Sequence, residues 1–219
     1  QGFASYITAI AVSKNTQYTE LSETDFAGEQ AELTSRPISI MVPDTKTYGL
    51  NYDTPSNHKS SAVIRQLALH LGENSFRKGI RSYIKDYRNK AANLSDFIST
   101  LERSSGMSLQ QWATDWINSA GVNTIKVEYQ CSDEKITELL IKQTAEDETP
   151  VLREHQLQLA LFQKNEQQQL VATTVKPIKV SGEVTKLEQF TGLACPLLVD
   201  PNYADWSYVK VQLGDNINR

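Results

Sequence analysis

Over residues 1–120, apolar positions recur three and four residues apart; after Gly121 they alternate one by one. The first spacing lines one face of a helix and the second lines one face of a strand. Phe3, Tyr6, Ile7, Ile10 and Ala11 form an opening helical stripe, with no Ser, Thr, Asp or Asn cap before it. Chain termini are commonly loose, so an uncapped packed helix at residue 1 predicts a chain cut from something longer. Val63, Ile64, Leu67 and Leu71 predict a helix that starts at Ser56 or shortly after and stops at Gly72. Phe76, Ile80, Tyr83, Ile84 and Tyr87 predict a second, on one face of 73–87. Ser95 is expected to cap a third over 96–103, ended by Gly106. Ser108 is expected to open a fourth, which carries Leu109, Trp112, Trp116 and Ile117 and ends at Gly121. The short connections predict antiparallel neighbours. Trp112, Trp116, Tyr83 and Phe97 read as core aromatics.

Alternation predicts strands over 125–129, 136–143, 156–162, 170–180, 184–190 and 208–213. Turn residues separate them, as in Lys164-Asn165-Glu166 and Ser181-Gly182. Short strands at this density read as an all-β sandwich. The expected fold class is therefore α+β, with a helical domain over 1–121 and a β-sandwich over 122–219.

A length of 219 residues is enough for one large domain or two modest ones. With 39% hydrophobic and 22% charged residues, the chain has the make-up of an ordinary globular protein. Its net charge is -4 and no basic cluster stands out, which argues against nucleic acid as a partner. No apolar run approaches the ~20 residues that span a bilayer, so no membrane segment is expected. Cys131 and Cys195 lie far apart in the second half; buried free thiols are favoured over a disulfide.

Candidate chemistry is sparse. The three histidines are His58, His70 and His155, and no two are four apart. The two-histidine helical zinc motif is therefore absent from this stretch. His58 reads as a surface residue near a helix start, His70 as solvated or partly packed, and His155 receives no role. Two cysteines on distant strands make no zinc site. No serine sits in a Gly-x-Ser-x-Gly elbow, and no spacing ties a Ser or Cys to a His and an acid. Glu146 and Glu148 read as a solvated loop rather than an acid–base pair.

Several blocks in order resemble the aminopeptidase N family of zinc metallopeptidases, the gluzincin aminopeptidases. Gly2-Phe3-Ala4-Ser5-Tyr6 resembles the segment after that family's third zinc ligand, which reads Asn-Glu-Gly-Phe-Ala. Ser35-Arg36-Pro37-Ile38 is similar to its Thr-His-Pro-Ile block. The run from Asp53-Thr54-Pro55-Ser56-Asn57-His58-Lys59 to Leu67 is similar to its Asp-x-Ile-Ser/Thr-Tyr-x-Lys-Gly block. Leu71-Gly72 with Phe76, Gly79 and Tyr83 follows, then Ser105-Gly106 with Leu109, Trp112 and Trp116. Gly121-Val122-Asn123-Thr124 looks like the link into the β-sandwich of the bacterial branch. Leu152 to Leu161 and Leu197 to Leu213 resemble strands of that sandwich.

The resemblance implies the C-terminal half of a thermolysin-like catalytic domain followed by a β-sandwich, with the zinc helix and N-terminal domains of the same polypeptide upstream. It implies zinc in the family and the parent, peptide substrates cleaved at their N-termini, and no zinc in this chain alone. It also places Gln1 at the zinc-ligand Glu. A neutral amide is a poorer zinc ligand than a carboxylate. Asn57 falls at the family's Tyr, which donates its hydroxyl to the oxyanion, and is too short to reach as far. Gln1 and Asn57 are thus substituted metal and catalytic positions, and a degenerate member kept as a binding or structural module is the alternative to an enzyme fragment. Half a catalytic domain would expose apolar faces, so self-association through them is expected. Asn57 and Ser56 are expected to cap their helix. Reduced cysteines slightly favour the bacterial cytoplasm.

Overall fold

The computed structural model describes residues 6, 37–39 and 54–212, without the side chains of 54–59. The chain divides into two compact units, Gln1–Ala120 and Gly121–Arg219.

The first unit is helical among its described residues. Helix α1, Thr54–Leu71, is packed all round: no residue from Ser60 to Leu71 is exposed. That exceeds the single stripe expected, and it makes α1 a central helix rather than an amphipathic surface one. Gly72, at φ +77°, breaks the chain between α1 and α2, Glu73–Asp86. Helix α2 buries Phe76, Gly79 and Ile80, whereas Ile84 is 58% exposed, so the expected apolar face is narrower than its sequence stripe. Gly79 lets Leu101 of helix α3, Leu94–Ser105, approach the α2 backbone closely. Tyr83 and Phe97 add an edge-on ring contact with centroids 5.2 Å apart.

Two expected helix starts are corrected. The cap of α3 is Asn93, not Ser95. Asn93 Oδ1 accepts from the Asp96 amide at 2.9 Å, and Asp96 Oδ2 accepts from the Asn93 amide at 2.9 Å. This reciprocal box satisfies two donors that helix geometry leaves orphaned. Gly106, at φ +73°, ends α3 in the left-handed conformation that glycine adopts without steric cost. Helix α4 is only Gln110–Ala113 and continues as a π-turn, Thr114–Asn118; Ser108 does not cap it. The Leu109 amide instead donates to Glu102 Oε1 at 2.7 Å. Trp112 and Trp116 stack with centroids 6.2 Å apart, and both are buried.

The second unit is a sandwich of two sheets. Strands β1 (Asn123–Ser132), β2 (Lys135–Thr144), β5 (Val184–Lys186) and β7 (Val209–Gln212) form one sheet in the order β5-β2-β1-β7. Within it β7 runs parallel to β1, with Asn123 opposite Val209. Strands β3 (His155–Lys164), β4 (Leu170–Val180) and β6 (Leu198–Asp200) form the other, ordered β4-β3-β6 and antiparallel throughout. Ile125, Val127 and Ile141 from one sheet share a core with Leu157, Leu159 and Val180 from the other. Phe190, fully buried, sits in a short 3-10 turn, Glu188–Phe190. That turn cuts short the strand expected over 184–190. No alternation marks β6, which is only three residues long. Along the outer edge of the second sheet, β4 carries Lys176, Pro177 and Lys179.

The cysteines correct a further expectation. Cys131 and Cys195 are joined by a disulfide, with Cα atoms 5.9 Å apart at a sequence separation of 64. They are not the reduced thiols anticipated, and the reason for favouring the cytoplasm goes with them. Their spacing carries no signal, because it is the folding of β1 against the lead-in to β6 that brings them together.

Candidate functional site

Gln1 lies outside the described residues, and so does the Asn57 side chain. Helix α1 begins at Thr54, so Ser56 and Asn57 stand inside its first turn. A capping residue precedes the first turn, so neither is the helix cap that was expected.

The described residues offer no place for a metal. Among them no three His, Cys, Asp or Glu side chains converge. His70, in the last turn of α1, is partly buried. His155 lies in the other unit, and both cysteines are consumed by the disulfide. The donor set present therefore does not fit zinc, and no catalytic step can be routed through a metal held by these residues.

One observation in the helical unit concerns the segment that resembles the Thr-His-Pro-Ile block. The Ile117 carbonyl, in the π-turn, accepts from the Ile38 amide at 2.9 Å and the Ser39 amide at 3.1 Å. A π-turn lengthens the local ladder and alters which carbonyls remain available. Here that carbonyl fastens residues 38 and 39 to the end of the α4 segment. Sequence periodicity gives no hint of it, since both partners are backbone groups.

The sandwich contains a polar cluster that sequence reasoning missed. His155 is fully buried at the start of β3. Its Nδ1 lies 2.9 Å from Ser207 Oγ and its Nε2 3.0 Å from Asn123 Oδ1. Asn123 Nδ2 donates to the Val151 carbonyl at 2.7 Å, which fixes Oδ1 as the atom facing the ring. Nε2 must then carry the proton and donate, while the Ser207 hydroxyl donates to Nδ1. Asn202 clasps Ser207 from both sides, accepting from its amide at 2.9 Å and donating to its carbonyl at 3.1 Å. Gln143 Nε2 donates to the Arg153 carbonyl at 3.0 Å.

Ser207, His155 and Asn123 thus have the connectivity of a nucleophile, a base and an orienting amide. Their surroundings rule out that use. All three are buried, at 4%, 0% and 1% exposure, so a substrate carbonyl has no approach. Burial, with the nearby Arg153 charge second, pushes the His155 pKa down to about 3. A base that weak takes a proton from serine poorly at neutral pH. The cluster ties β1, the β2–β3 loop and the lead-in to β7 together. Its signal in sequence is thin: five polar residues, Asn123, Gln143, His155, Asn202 and Ser207, come from four separate segments, each unremarkable alone.

Comparison with known proteins bears on the helical unit above all. The model of the peptidase family M1 domain matches residues 1–116. Aminopeptidase N of Streptomyces lividans is 31% identical over 198 residues, covering 87% of this chain and 23% of that protein. A probable aminopeptidase 2 of Sulfurisphaera tokodaii is 32% identical over 94 residues, covering 43% of this chain and 12% of that protein. This chain thus spans less than a quarter of either relative. Among solved structures, Legionella pneumophila aminopeptidase A, crystallised in complex with aspartic acid, matches with a TM-score of 0.61 at 17% identity. That match covers 82% of this chain and 20% of the other, and is a likeness of fold. The α+β architecture, the block order across the helices and a family match over more than half the residues agree: the chain belongs to peptidase family M1, among the gluzincin metallo-aminopeptidases.

Proposed function

We propose that this chain is the portion of a zinc-dependent aminopeptidase that follows the zinc-binding helix. Residues 1–121 would supply the helical half of a thermolysin-like catalytic domain and 122–219 the β-sandwich behind it. Zinc, when held by the upstream helix, would supply the activated water that attacks an N-terminal peptide bond. By itself the chain is inactive. The observation that carries this reading is the family match over 1–116, extended into the sandwich by the aminopeptidase N of Streptomyces lividans.

A second reading, a degenerate member that acts as a binding or structural module, draws on the two substitutions. Gln1 stands where the family has its zinc-ligand Glu, and Asn57 where it has its Tyr. Removing one oxyanion donor costs about 10²–10³ in turnover.

Release of nitroaniline from aminoacyl-4-nitroanilides separates the readings. The purified chain with added zinc should show no chelator-sensitive release above blank. In the parent polypeptide, Gln1→Glu with Asn57→Tyr should raise turnover by about 10²–10³. A double variant that binds zinc stoichiometrically and gains nothing would remove Asn57 as the lost catalytic position.

A further inference from the structure

The Cys131–Cys195 bond is a covalent link within the sandwich. It uses both cysteines of the chain and leaves none free. It joins the end of β1, in one sheet, to the segment that enters β6, in the other. Strand β6 is a weakly held edge: it pairs with β3 through Ala160–Asp200, Leu161–Val199 and Phe162–Leu198 only.

Non-covalent bonds set the two sulfurs near each other. The Cys195 amide donates to the Glu134 carbonyl at 2.8 Å, and its carbonyl accepts from Gln163 Nε2 at 2.7 Å. The next carbonyl, on Pro196, accepts from the Tyr129 hydroxyl at 3.3 Å. The Leu197 amide donates to the Phe162 carbonyl at 2.9 Å. A ladder irregularity between Gln130 and Cys131 turns the end of β1 at the bridge. The fold thus presents the two thiols to each other, and both cysteines are only half-buried, within reach of exchange.

We infer that Cys131–Cys195 is a structural disulfide acquired in an oxidising compartment, by exchange with a protein dithiol–disulfide oxidant, and that it locks β6 onto the sandwich. Half-buried thiol pairs are kept reduced by the thiol pool of a mesophilic cytosol, so a bridge that spends every cysteine belongs to a chain that matures outside it. In the exchange, one thiolate attacks the oxidant's disulfide and forms a mixed disulfide. The second thiolate then displaces the oxidant's sulfur. The chain gives up two protons and two electrons as its S–S bond forms, and the oxidant's S–S bond becomes two thiols. The argument uses only the sandwich, so it stands apart from the catalytic reading of residues 1–121.

The test traps thiols in the protein as its own host makes it, by acid quench and alkylation before unfolding. The expected result is no alkylated cysteine until reductant is added, and two afterwards. Both cysteines alkylated without reductant would overturn the compartment. The locking role is read separately, by comparing the melting temperature of the oxidised protein with that of Cys131→Ser/Cys195→Ser. A fall on the order of 10 °C is expected, with faster amide exchange at Val199. If the double variant fails to fold, the oxidised protein with and without reductant gives the same reading. An unchanged melting temperature and unchanged exchange would overturn the lock.

Discussion

The helical unit and the sandwich are held together by different means. Among the described residues of the helical unit, the named polar bonds are mostly local. Asn93 caps three residues on, Ser104 and Ser105 bond back one turn, and Arg77 pairs with Glu73 one turn away. Its interior is apolar, centred on Leu67, Leu101, Leu109 and the Trp112–Trp116 stack. In the sandwich, several polar bonds join distant segments, 28 residues apart in Asn123–Val151, 52 in His155–Ser207 and 67 in Tyr129–Pro196. A covalent bridge spans 64 more. Local bonds form early and cheaply, whereas distant ones require loops to be closed first. The first unit therefore announces itself in sequence, and the second conceals what fastens it.

Acid should separate the two most strongly. The His155 pKa is about 3 in the fold against an ordinary 6.5. Between those values the unfolded chain binds the proton and the folded one does not, so stability rises with pH across that window. The contribution is complete above pH 6.5 and is lost as pH falls toward 3, to the extent of about 5 kcal/mol. Urea unfolding followed from pH 7 to pH 3.5, with hydrogen-exchange protection read separately in α2–α3 and β1–β7, should show the loss in the strands. Equal loss of protection in the helices would break the contrast.

Next in size are the two cores. Phe190→Ala in the sandwich should cost about 3–5 kcal/mol and Leu101→Ala in the helices about 2–5, since both side chains are fully buried. Chemical denaturation checks both. The contrast sharpens if each variant loosens exchange only in its own unit.

The smaller effects separate local from distant bonds. Asn93→Ala removes the capping box and should cost about 1 kcal/mol, visible as fraying at the start of α3. Lys210→Ala removes the Lys210–Glu146 pair, 2.7 Å long and exposed. It should cost less than about 1 kcal/mol and weaken further in salt. A loss above that of Asn93→Ala would mean that the β2–β3 loop relies on this pair more than on Asn123.

These differences explain what could be read from the sequence. The helices of the described region are legible because their stripes and glycines act within one or two turns: Gly72 and Gly106 end helices where expected. The α3 cap is misread at Ser95 because two side-chain-to-amide bonds, not residue type alone, select Asn93. Strands β1 to β4 are legible through alternation. Strand β6 is too short to alternate, and the 3-10 turn at Phe190 interrupts a pattern that otherwise continues. The His155 cluster and the disulfide are illegible because each joins segments that only the fold makes neighbours. Of the candidate site, the resemblance supplied Gln1 and Asn57, and no local pattern marks either as chemical.

The outer edge of the second sheet has a colloidal consequence. An open strand edge invites a strand from another molecule, and so sheet growth without limit. Strand β4 is eleven residues long, ample for such a template. Pro177 in its middle has no amide hydrogen to offer an incoming strand, and Lys176 and Lys179 set positive charge on either side. Lys176 is held in place, its ammonium 5.4 Å from the Phe190 ring centroid and donating to the Gln189 carbonyl at 3.2 Å. Three positions within a run of four residues thus act as gatekeepers against fibrous precipitation, and concentrated solutions should stay clear for as long as they remain unchanged.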